Sequence, residues 1–81
     1  MSQIDQNIKL FIKSLPSKTF SLLLFDQGNR VVGFAVLDEN DETSLATIYN
    51  ANCKKVKKVE RGTNIKEVVN ILTKDRLRYI V

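Results

Sequence analysis

The sequence contains no histidine and no tryptophan, and it has one cysteine (Cys53) and one proline (Pro16) among 81 residues. Without histidine there is no Ser-His-Asp or Cys-His arrangement for nucleophilic catalysis. With one thiolate, no zinc site of sulfur and imidazole ligands can form within a single chain. A lone cysteine leaves no internal disulfide, the usual condition of a chain kept in a reducing cytoplasm. Long apolar runs are also missing. The longest unbroken one is Leu22-Leu23-Leu24-Phe25, far below the ~20 residues that cross a bilayer. No basic segment followed by an apolar one opens the chain, and no Asn is followed by x-Ser or x-Thr. A cytoplasmic protein with no membrane association is expected.

Two further chemistries are weighed and set aside. Lys54 and Lys55 beside Cys53 would lower a thiol pKa, but a single cysteine in a strand is usually a small buried hydrophobe. The acidic stretch Asp38–Glu42 would need Gly at position 43 and Glu at 49 to make a calcium loop; the chain has Thr43 and Tyr49. No catalytic residue, no metal and no cofactor are expected, and the protein reads as a non-enzyme.

What is present is the composition of one folded domain over residues 1–81. Hydrophobic residues make up 43% and charged residues 27%, which argues against disorder. The net charge of +4 is unevenly distributed, with −2 over residues 1–43 and +6 over residues 44–81. Such an asymmetry steers a polyanion to one side of a small molecule.

Periodicity gives the elements. Ile4, Ile8, Phe11, Ile12 and Leu15 recur at helical spacing, with Ser2 as cap and Pro16 as stop. Thr19–Phe25 and Arg30–Asp38 read as strands joined by hairpin chemistry at Asp26-Gln27-Gly28-Asn29, with Gly28 supplying left-handed backbone. Gly33 inside the second strand signals a bulge or a close backbone approach. A third strand is expected at about Ser44–Asn50. Residues 53–59 fit a helix or a strand, and a short edge strand is favoured because lysine commonly guards edges. On that strand Cys53, Lys55, Lys57 and Val59 would share one face, and Lys54, Val56 and Lys58 the other. Asn64 and Glu67 form a capping-box pattern for a second helix that ends at Lys74-Asp75, and Arg76–Val81 alternates as a last strand. No internal repeat is evident. The order α-β-β-β-β-α-β implies an α+β, two-layer domain, with both helices on one face of a mostly antiparallel sheet of about five strands.

Gly33-Phe34-Ala35 overlaps the RNA-recognition-motif signature, but Val32 stands where a basic residue is needed, and Val36 and Glu39 replace the stacking aromatics. The basic C-terminal half carries the functional expectation instead. Lys54, Lys55, Lys57, Lys58, Arg61, Lys66, Arg76 and Arg78 are candidates for phosphate contacts, Arg61 and Lys66 beside a helix N-terminus. Tyr49 and Tyr79 are candidates for stacking on a base. The partner expected is nucleic acid, RNA or a ribonucleoprotein being favoured. The alternative is an inhibitor or adaptor that binds an acidic or nucleic-acid-processing host protein through its basic face or an exposed edge strand. Lys, Asn and Ile supply 23 of 81 residues, a bias that suits a bacteriophage accessory or counter-defence factor in a host cytoplasm. An edge strand also leaves room for a homodimer.

Overall fold

The structure, a computed structural model, describes residues 3–15, 19–39 and 43–80, with side chains described from residue 5 to residue 74 within those ranges. Ser2 as a cap, Pro16 as a stop, residues 40–42 of the acidic connection, and the side chains of Ile4 and Tyr79 lie outside the described residues. The elements are α1 (Gln3–Ser14), β1 (Thr19–Phe25), β2 (Val31–Asp38), β3 (Leu45–Asn50), β4 (Lys55–Glu60) and α2 (Ile65–Ile80). Each strand pairs antiparallel with the next, so the sheet is a four-stranded meander in the order β1-β2-β3-β4. The fold is α+β, and of residues 53–59 the edge strand takes Lys55 onward, as part of β4, while Cys53 and Lys54 lie in the turn before it.

Two expectations about architecture are corrected. The fifth strand does not form, because α2 continues through Arg76 to Ile80. A helix stop is normally Gly or Pro, and the sequence from 65 to 80 has neither; Lys74-Asp75 ends nothing. The helices also do not share a face. α1 packs Ile8 with Phe34 and Val36, and α2 packs Val68 and Leu72 with Ala35 and Ile48. Alternate residues of a strand point to opposite sides, so Phe34 and Val36 lie on one face of β2 and Ala35 on the other. The reason is in β2 itself. Val32 to Val36 are all buried, and a strand apolar on both faces needs a cover on each side. The core is therefore two clusters rather than one. Leu22 and Ile65 lie outside both clusters and are exposed.

The β1–β2 and β3–β4 hairpins share one design, a repeat the sequence does not display. Asp26 Oδ1 accepts the N–H groups of Gly28 (2.8 Å) and Arg30 (3.0 Å), and Asn50 Oδ1 accepts those of Asn52 (2.9 Å) and Lys54 (3.1 Å). In each loop the fourth residue takes positive φ, 60° at Asn29 and 62° at Cys53. Asn29 N and Cys53 N donate to the carbonyls of Asp26 and Asn50, closing a turn followed by a left-handed residue. Gly28 was the expected left-handed position, yet Asn29 takes it, which asparagine tolerates. A register shift follows each turn: Val32 is the extra residue on β2 and Val56 the extra residue on β4.

Gly33 has both features expected of it. It adjoins the bulge at Val32, and a Cβ there would overlap the Tyr49 carbonyl oxygen and come within 2.8 Å of Leu72 Cδ1.

Candidate nucleic-acid interface

The basic stretch begins in a turn and ends in a turn, with β4 between. Lys54 lies before the strand, its main chain fixed by Asn50, and its side chain is exposed. On β4, Lys55, Lys57 and Lys58 are exposed, while Val56 and Val59 pack on the α2-side cluster. The bulge re-deals the faces. Tyr49 opposes Lys55 and Thr47 opposes Lys58, so these two lysines project on the α1 side; Ile48 opposes Lys57, which projects on the α2 side with Val59. The expected grouping of Lys55 with Lys57, and of Lys54 with Lys58, is corrected. One inserted residue inverts the alternation after Val56.

Lys55 and Lys58 border a shallow depression of ≈ 230 Å³ on the α1 side, together with Thr19, Thr47 and Asp38. None of the four lysines has an ion-pair partner among the described residues. Arg61 sits just past β4, where its Nη2 donates to the Asp38 carbonyl (3.0 Å) and its main-chain N–H donates to Ser44 O (3.2 Å). These bonds hold its guanidinium at the rim while leaving other donors available.

Lys66 is exposed in the first turn of α2. The helix N-terminus beside it is closed by its own residues: Asn64 Oδ1 accepts from Lys66 N (2.9 Å), and Asn64 O accepts from Glu67 N and Val68 N. An anion there meets fewer free N–H groups than an uncapped helix would present. Arg76, Arg78 and Tyr79 fall in the last part of α2 rather than on a strand, and their side chains lie outside the described residues.

Tyr49 belongs to the α1-side core. Its ring stacks on Phe34 (centroids 4.9 Å apart, planes at 9°) and meets the edge of Phe11 at 5.0 Å. Those contacts occupy the surface a base would need. Cys53 is half-buried against α1, with Sγ donating weakly to Asn7 O at 3.9 Å. Burial pushes its thiol up from the ordinary value of 9.0, the opposite of an activated nucleophile. Among the described residues, no group of three His, Cys, Asp or Glu side chains is placed to hold a metal ion. No described helix is long and apolar enough to cross a membrane.

Sequence reasoning missed an apolar surface. On the α2 side a groove of ≈ 190 Å³ runs between the sheet and the start of α2, lined by Leu22, Leu37, Ala46, Val59, Ile65 and Val68. The signal was the run Leu22-Leu23-Leu24-Phe25, whose two parities place apolar side chains on both faces of an edge strand. Comparison with family models, curated proteins and solved structures finds no match to this chain.

Proposed function

We propose that the protein is a non-enzymatic binding module whose β4 edge contacts the phosphate backbone of nucleic acid, RNA before DNA. Lys55 and Lys58 form the principal pair, and Lys54, Lys57 and Arg61 extend the contact. The observation that supports this most is the run of exposed cations from Lys54 to Arg61 along one rim of the sheet. A bulge and flanking lysines discourage another strand from pairing with an edge, so a ligand of β4 is held by side-chain charge. With Tyr49 in the core and no tryptophan, recognition falls to charge and backbone shape. A-form RNA is often recognised in that way. The setting is a reducing cytoplasm.

The second reading is an adaptor or inhibitor for an acidic host protein, such as a bacteriophage accessory factor would be. It is favoured by the apolar groove, because Glu60 and Arg61 also line it; an apolar pocket with a polar rim suits an anchoring side chain of a protein partner.

Purification followed by fluorescence anisotropy with generic single-stranded and duplex RNA separates the two. The nucleic-acid reading expects material absorbing at 260 nm to copurify, nuclease to remove it, and the purified protein to bind RNA directly. A protein partner retained after nuclease, with no direct RNA binding, supports the second reading and rejects the first.

A further inference from the structure

The sheet has two outer edges of opposite character. β4 carries three lysines, and its bulge residue, Val56, lies on β4 itself. β1 reads Thr-Phe-Ser-Leu-Leu-Leu-Phe, seven residues with no charge, proline or glycine. The register shift it shares with β2 is taken up by Val32 on β2, so the outer edge of β1 is not interrupted. Natural sheets blunt an edge with charge, proline or a bulge, and β1 has none of the three. It is also unusually apolar for a solvent-facing strand: Phe20 is 60% exposed, Leu22 49%, Phe25 48% and Leu23 37%.

We infer that β1 is the interface for a second copy of this chain, paired antiparallel across a two-fold axis at Leu22. Because Leu22 is the middle residue of β1, this register pairs the whole strand: Thr19 faces Phe25 of the partner, Phe20 faces Leu24, and Ser21 faces Leu23. Every pair then keeps its faces, since residues an even number apart share a side. On the α2 side Phe20 opposes Leu24 and Leu22 opposes its own copy; on the α1 side Leu23 opposes Ser21 and Phe25 opposes Thr19. Cross-strand apolar pairs such as Phe20–Leu24 and Leu22–Leu22 are the unit of sheet stabilisation. The uncharged strand opposes no like charge when it meets itself, whereas β4 against β4 would bring lysines together. Growth therefore stops at two copies. An isologous β1 contact closes the assembly, and the lysine-bearing, bulged β4 edges form its two ends. The inference stands independently of the nucleic-acid reading, because β1 carries none of the cations of the basic rim.

Sedimentation equilibrium over a range of protein concentrations tests it, alongside hydrogen exchange of the β1 amides in the unmodified protein. The expected result is a reversible dimer whose β1 amides exchange more slowly as concentration rises. Leu22→Lys, which sets two ammonium groups face to face at the axis, should weaken association at least tenfold, and Lys57→Thr should leave it unchanged. The exchange experiment requires no variant, so a failure of Leu22→Lys to fold does not remove the test. A monomer at every concentration, with concentration-independent exchange at β1, would overturn the inference. So would a Leu22→Lys protein that still dimerises as the parent does.

Discussion

A methyl group on Gly33 would overlap the Tyr49 carbonyl oxygen and crowd Leu72 Cδ1. The backbone of β3 and the side chain of α2 cannot both retreat, so Gly33→Ala should cost about 1–3 kcal/mol, the range of overpacked cores; urea denaturation midpoints measure it. That glycine was legible because an isolated glycine inside an apolar strand has few other meanings. Cys53 was not. Its φ of 62° is set by the turn that Asn50 builds, and cysteine gives no hint of left-handed backbone. Its raised pKa has a consequence for stability. The folded state holds the thiol proton more tightly than the unfolded one, so the contribution is complete below pH 9.0 and is lost as pH rises through the folded value. The parent should lose stability above pH 9.0 by more than Cys53→Ala does, as read by urea denaturation across that range. Alkylation of Cys53 should be slow in the native protein and fast after unfolding.

At the scale of elements, the paired hairpins make a prediction in duplicate. Asp26 and Asn50 each accept two main-chain N–H groups through one side-chain oxygen. Asp26→Ala and Asn50→Ala should therefore each cost about 1–2 kcal/mol, as lost caps do, while Asp26→Asn should be nearly neutral, because Asn50 already does the same work. An Asp26→Asn protein as weakened as Asp26→Ala would mean that the exposed ion pair with Arg30 at 3.4 Å matters more than the turn. Leu72→Ala, from the α2-side cluster, should cost ~2–5 kcal/mol in the same assay. Element positions were largely readable: β1 spans Thr19–Phe25 as its composition implies, and β2 and β3 begin one residue later than expected. The end of α2 was not readable, since the alternation of Leu77, Tyr79 and Val81 looks like a strand when nothing marks a helix stop. The faces of β4 were unreadable for a different reason. A bulge leaves no mark in composition, and one extra residue at Val56 moves Lys57 and Lys58 to the opposite sides.

For the whole molecule, the account rests on a sheet with unlike edges and a helix on each face. Apolar residues of both parities in β2 demanded the second helical cover, and that was available in the sequence from Val31-Val32-Gly33-Phe34-Ala35-Val36. The basic edge was legible as composition, but the sharing of a face by Lys55 and Lys58 emerges only from the register with Thr47 and Tyr49. That shared face makes the central claim testable by the salt dependence of RNA binding. The parent is compared with Lys55→Gln/Lys58→Gln and with Lys54→Gln/Lys57→Gln, two variants of equal net charge. Each phosphate contact contributes a slope of about 0.7–0.9 in log affinity against log salt. If Lys55 and Lys58 grip the backbone together, their double variant should flatten the slope by about two contacts and lose more affinity than the other pair. Two variants that stay folded and bind RNA with the slope and affinity of the parent would contradict the account, leaving the lysines of β4 as guards of an edge.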